Sequence, residues 1–277
     1  MILFVYRIFG KNSYNSLHIW LPEAHVEAPT AGSVILAGIL LKLGTYAVFR
    51  LILGNFYWNV YIYLLYILLT IAIIGLTYST MGALAQIDIK KIIAYSSIAH
   101  MNFLLIGIFS NILIGISGAY IMMISHAITS SALFFAIGIL YDRYKTRIIF
   151  YYGGLVNFMP IYSIILFICI LSNFGFPGTL NFVGEILIIY GGLFVSNLTI
   201  LFCTFSLIIT LVYSLFLYNK IIFGTININF FRFFSEITRL EFYIFIIFIF
   251  FLIIFGIFPN FIFKNIIIFL IKFLIII

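Results

Sequence analysis

Four ionisable residues stand in stretches where hydropathy alone would place none: Lys42, His100, His126 and Glu185. Each lies inside a long apolar run. An ammonium at the centre of a membrane helix costs about 2.5–3.5 kcal/mol on insertion scales, so such a group is paired, hydrated or working. The chemistry these types share is proton exchange. An imidazole titrates near neutrality and takes up or releases a proton at either ring nitrogen. A desolvated amine gives up its proton readily, and a carboxyl just past a helix break sits where transporters build ion sites. The plain alternatives are a structural ion pair for Lys42, a carbonyl-bonded ring for each histidine and a protonated, helix-bridging carboxyl for Glu185.

Their spacing carries further information. His100 and His126 stand about 13 residues either side of a pivot near Leu113, so a rise of 1.5 Å per residue sets both about 19 Å from the turn. Neighbouring antiparallel helices then hold the two rings level near the bilayer middle, with Ser97, Ser125, Thr129, Ser130 and Ser131 around them. Glu185 follows the break at Pro177 and Gly178 by about two turns. Lys11 marks an earlier interruption, and it also reads as a solvated residue between an anchor and a helix. His18, Glu23, His25 and Glu27 belong to a Pro-flanked loop at the basic face. They serve either as a water-accessible uptake point or as helix caps; Glu27 ahead of Thr30 is not a capping box.

The elements that must position these groups follow from composition. With 65% hydrophobic and 8% charged residues, and a mean hydropathy of +1.30, no polar coat could cover the apolar surface of a soluble domain. At about 20 apolar residues per span, a chain of 277 residues makes one polytopic domain of about seven to nine crossings. Apolar runs predict eight helices, over 2–20, 29–53, 58–81, 91–109, 114–141, 158–195, 198–223 and 241–258. The first is interrupted near 10–16 and the sixth at 173–179, where the residues are NFGFPGT. Freed backbone groups at such breaks survive in a bilayer only where protein or water satisfies them. An apolar tail, 261–277, carries Lys264 and Lys272 and is expected to lie at the interface rather than cross.

The 14 Lys and Arg against 7 Asp and Glu report loop orientation rather than nucleic-acid binding. Lys90, Lys91, Arg143, Lys145, Arg147, Lys220, Arg232 and Arg239 collect on one side, the cytoplasm or its mitochondrial equivalent, the matrix. Cys169 and Cys203 lie alone in apolar runs with no metal-ligand spacing, and no Walker, Rossmann or cysteine-cluster motif is present. The start, MILFVYRIFGK, lacks a cleavage site and reads like the middle of a longer relative.

The stretches LHIWLPEAHVEAPTAGSVILAGILLKLGTY, ALAQIDIKKIIAYSSIAHMNFLLIG, SHAITSSALFFAIGILYDR and FGFPGTLNFVGE closely resemble the antiporter-like subunits of NADH:ubiquinone oxidoreductase, respiratory complex I. The resemblance covers about residues 10–185, and the later helices continue it. It implies an all-α fold of fourteen transmembrane helices with two inverted five-helix repeats, each containing a discontinuous helix, of which this chain holds the last eight. Residues 1–57 would then end the first repeat, 58–223 would form the second, 224–260 would be the final helix and 261–277 the tail. By motif, Lys11 resembles the broken-helix lysine, Lys42 the lysine relaying protons inward, His100 and His126 the central axis, and Glu185 the terminal residue toward the intermembrane space. Asn12 and Ser13 follow Lys11 where the family usually has proline.

The resemblance further implies a proton-translocating subunit in the mitochondrial inner membrane. Flavin, iron–sulfur clusters and quinone would be on other subunits, with no cofactor on this chain. Its partners would be other membrane-arm subunits, a separate chain supplying the N-terminal half, and lipid, with no nucleic acid. A subunit of a multisubunit cation/proton antiporter shares the fold and is the alternative; an inert structural spacer is a third reading.

Overall fold

In hydrocarbon a backbone must satisfy its own hydrogen bonds, and a run of about 20 apolar residues does so as a helix. The computed structural model describes residues 18–52, 58–225 and 235–264, and it is helical throughout apart from short turns and a single bridge between Asp88 and Ile148. In chain order the helices are α1 (Trp20–Glu27), α2 (Thr30–Arg50), α3 (Trp58–Ala85), α4 (Ile89–Phe109), α5 (Leu113–Tyr144), α6 (Pro160–Asn173), α7 (Leu180–Leu193), α8 (Asn197–Ile222) and α9 (Arg239–Ile257). Among the described residues, six helices are long and apolar enough to cross a membrane, and α6 and α7 are shorter apolar pieces. The expected break at 173–179 falls between α6 and α7. Lys11, the first interruption and the tail beyond Lys264 lie outside the described residues.

Burial ranks the helices. Inside the bundle lies 94% of the apolar window of α4, against 11% for α9, so the α4–α5 hairpin forms the centre and α9 the rim. α7 packs along α5 so closely that a Cβ added at Gly118 would meet the Leu187 Cβ at 2.6 Å. Without a hydrophobic drive between membrane helices, such small residues let backbones approach and gain van der Waals contact. At the basic face the start of α9 is held by a capping box, in which Thr238 Oγ1 accepts from Glu241 N–H and the Glu241 carboxylate accepts from Thr238 N–H. Arg143, near the end of α5, donates to the same carboxylate at 2.7 Å and to the Ser235 carbonyl.

Two sequence expectations are corrected here. The Pro-flanked stretch is not a loop, because Trp20–Glu27 forms an eight-residue helix. Pro22 stands in its first turn, where the missing N–H would have no intrahelical partner anyway. Ala28 then turns extended, as the residue before Pro29 is biased to do. Lys90 is not a loop charge either. It is the second residue of α4, is buried, and donates to the Ala28 carbonyl at 3.0 Å, which ties α4 to the α1–α2 junction.

The break itself is built by chain chemistry. Gly175 has φ +69° and Gly178 φ +97°, backbone that L side chains rarely adopt. Asn181 Nδ2 reaches back to donate to the Ser172 carbonyl at 2.7 Å, reinforcing the long 3.4 Å bond that this acceptor receives from Gly175 N–H at the end of the interrupted helix.

Candidate functional site

Lys42 is placed by a distortion of its own helix. Residues Leu36–Leu40 form a π-helical turn, in which Leu41 N–H reaches five residues back to the Leu36 carbonyl. The Ala37 carbonyl accepts from Lys42 Nζ at 2.5 Å. Such bulges re-aim side chains and occur at functional sites. Here the turn directs the lysine into the bundle, where Nζ lies 2.8 Å from His126 Nδ1 on α5. An amine that donates to Nδ1 leaves the ring proton on Nε2.

From His126 the file continues to α4. The His126 and His100 rings stand 5.2 Å apart, centroid to centroid, so the depth expected from their spacing about Leu113 is met in the fold. His100 Nδ1 is 4.0 Å from Glu185 Oε1 on α7. All four side chains are buried, none above 9% exposed. Their spatial order is Lys42, His126, His100, Glu185, which reverses the chain order of the two histidines. The reason is that α2 packs on α5 rather than on α4, so the first imidazole met from Lys42 is the later one in sequence.

Glu185 is held at the break. A Cβ at Gly175 would fall 1.9 Å from Glu185 Oε2, so only glycine leaves room for the carboxyl to fold back over the broken helix. The flanking hydroxyls are occupied with their own helices. Ser97 donates to Ala94 O at 2.7 Å, Ser130 to His126 O at 2.6 Å and Ser131 to Ile128 O at 2.9 Å. Their protons are therefore spent on backbone carbonyls rather than on the rings.

The residues around α1 separate. Glu23 and Glu27 are exposed on the chain surface, whereas His18 is buried edge-on to Tyr78 at 4.9 Å. His25 is fully buried, stacks on Phe134 at 4.3 Å, and has no hydrogen-bond partner for either ring nitrogen. Burial first, then the positive charges of Lys90 and Lys42, pushes its imidazole from 6.5 down to about 4. Above pH 6.5 the ring is neutral folded or unfolded, and its full contribution is present. Between 6.5 and about 4 the unfolded chain takes the proton and the fold does not, so stability falls with pH, by up to about 3 kcal/mol. Thermal unfolding of the solubilised protein should show part of this loss between pH 7.5 and 5, and His25→Gln should make it smaller. An identical pH dependence in the variant would assign the effect to other groups.

Three buried polar residues received no site role from the sequence: Asn173 and Tyr213 beside the file, and Lys90 at the α1–α2 junction. Lys90 was masked by its charged neighbours Asp88 and Lys91. Asn173 lies against His100, and its place at the start of the break was the available signal. Tyr213 stands in a helix rich in apolar residues and bears no sequence mark.

Helices of lipid-spanning length that enclose ionisable groups define a polytopic all-helical membrane protein. The chain belongs to the family described as NADH:quinone oxidoreductase/Mrp antiporter, transmembrane, which it matches over residues 1–210. It is 50% identical over 239 residues to a protein of Acanthamoeba castellanii named NADH-ubiquinone oxidoreductase chain 4, an overlap covering 86% of this chain and 48% of that protein. A Marchantia polymorpha protein of the same name is 49% identical over 249 residues, covering 88% and 49%. The chain thus spans about half the length of the curated relatives it matches. Among solved structures, a chain of respiratory complex I from Thermus thermophilus superposes with a TM-score of 0.79 at 25% identity, covering 92% of this chain and 53% of that one. A chain of the Mrp complex from Dietzia shares the fold, with a TM-score of 0.73 at 21% identity over 80% of this chain and 41% of that one.

Proposed function

We propose that this chain is a proton-translocating subunit of the membrane arm of a respiratory NADH:ubiquinone oxidoreductase, seated in the mitochondrial inner membrane. The observation that carries the reading is the buried file from Lys42 through His126 and His100 to Glu185, with gaps of 2.8 Å, 5.2 Å between ring centroids and 4.0 Å. Relatives named as chain 4 of that oxidoreductase support the setting. Electron transfer would run on flavin, iron–sulfur clusters and quinone in other subunits. Its free energy would reach this chain as a shift in the relative proton affinities of the four groups. A proton would pass from Lys42 to His126, then to His100 and Glu185, the carboxyl releasing it on the side opposite the basic loops.

In this reading 58–223 forms the family's second inverted repeat, Lys11 is a further proton-handling residue, and His18 and His25 mark the uptake side. The remaining helices of the family fold would stand beside α2 in the assembled arm. A separate polypeptide is the expected source, and the mass of this chain in isolated membranes distinguishes that from one longer chain.

The Mrp likeness supports the alternative of a cation/proton antiporter subunit. Purification of the native complex decides between them. NADH-driven proton pumping with copurifying flavin and iron–sulfur subunits is the expected result; sodium-dependent transport without NADH would replace the first reading with the second.

A further inference from the structure

Behind the file, between α4, α6 and α8, the bundle holds a cavity of about 10 Å³, room for one water, lined in part by Ile92, Ser96, Asn173, Tyr213 and Ser214. Its walls are not uniformly apolar. Tyr213 is buried, and its hydroxyl has no hydrogen-bond partner among the described residues. Ser96 lies beside that hydroxyl, but its own Oγ–H is spent on the Ile93 carbonyl at 2.8 Å, leaving oxygen lone pairs to accept. Asn173 reaches from the cavity wall to His100. His100 Nε2 and Glu185 Oε1 are also unpartnered. Ser96 of α4, Asn173 of α6 and Tyr213 of α8 thus share one small space, and through Asn173 it borders His100.

A buried hydroxyl without a partner costs about 1–3 kcal/mol. A water with two to four polar neighbours removes that cost, and apolar cavities stay dry where polar ones do not. The cavity's position gives the water a task. Ser96 stands one helical turn from His100 toward Ile89, the end of α4 at the basic face, and Tyr213 lies within α8, whose last turn carries Lys220 at that same face. The cavity therefore adjoins the file on the basic side of His100.

We propose that Tyr213 and Ser96 hold a water in this cavity, oriented by Asn173, through which His100 exchanges protons on the basic-face side. The water accepts one proton and donates another, and is unchanged. Tyr213 is a positioning residue here, and α8 becomes a wall of the proton path rather than lipid-facing cladding alone. This inference rests on the relay reading of Lys42, His126, His100 and Glu185.

The test is a map of the native assembled complex sharp enough to show ordered water, paired with Tyr213→Phe, which keeps the ring and removes only the hydroxyl. The expected result is water density bonded to Tyr213 Oη that disappears in the variant. NADH-driven proton translocation should then fall about two- to tenfold, the effect of one hydrogen bond, with an altered solvent deuterium isotope effect. A dry cavity in the native map overturns the proposal, including where the variant fails to assemble. Native translocation by Tyr213→Phe also overturns it, provided Glu185→Gln lowers translocation in the same background. Native translocation by both variants would instead overturn the relay reading, and the water site with it.

Discussion

Glu185→Gln, introduced into the assembled membrane complex, is expected to lower proton translocation by about tenfold or more while leaving the fold intact. The carboxamide matches the carboxyl in size, so it fits the space over Gly175, where an added Cβ would stand 1.9 Å from Glu185 Oε2. What it loses is the exchangeable proton. Proton-transfer groups contribute about 10²–10⁴-fold where they act, and water at the break would recover part of that. Glu185 is also the end of the file: past it, α7 packs on α5 through glycine contacts, with Leu187 against Gly118 and Gly191 against Gly115. Proton pumping by membrane vesicles, measured per NADH oxidised and as a rate, checks the prediction. Unchanged rate and stoichiometry would leave this chain as a structural spacer.

The second large effect is expected at the other end. Lys42→Met and His126→Ala should each slow translocation about tenfold or more without preventing assembly, and the double variant should be little worse than either alone. The pair at 2.8 Å acts as one unit, and groups that act together show losses that do not add. Removing the imidazole leaves Lys42 Nζ its bond to the Ala37 carbonyl, so the amine is not stranded without a partner. His100→Ala is expected to slow turnover too, because it opens the gap between His126 and Glu185. A quantitative double-mutant cycle of translocation rates is the measurement. Fully additive losses would mean that Lys42 and His126 serve separate paths, and loss of the whole complex from either single change would assign the pair to packing.

The helix spans and the second break follow from properties written along the chain. An apolar run must close its own hydrogen bonds in lipid, and Pro177 with Gly175 and Gly178 cannot continue a helix, so α6 stops at Asn173 and α7 begins at Leu180. The level placement of His100 and His126 is equally legible, because a constant rise per residue turns distance from the Leu113 turn into depth. The eight-residue helix at Trp20–Glu27 is not, since proline signals a break although a first-turn position tolerates it. The burial of Lys90 is hidden for a similar reason: charge at a helix boundary signals a loop unless a neighbouring backbone accepts a hydrogen bond from it, as the Ala28 carbonyl does.

The sequence by itself determined the membrane class, the matching level of His100 and His126 and the residue types able to exchange protons. Only the tertiary structure decided which of those groups touch: that Lys42 meets His126 and not His100, that Glu185 folds over Gly175, and that Tyr213 and Asn173 border the same space. The physical reason is that hydropathy and helical rise specify position along the membrane normal, whereas neighbours are set by rotation about each helix axis. In a helix apolar on every face that rotation carries no hydrophobic signal. It is settled by close packing of small residues, such as Gly118 against Leu187, and by the few polar groups that must find partners inside the bundle.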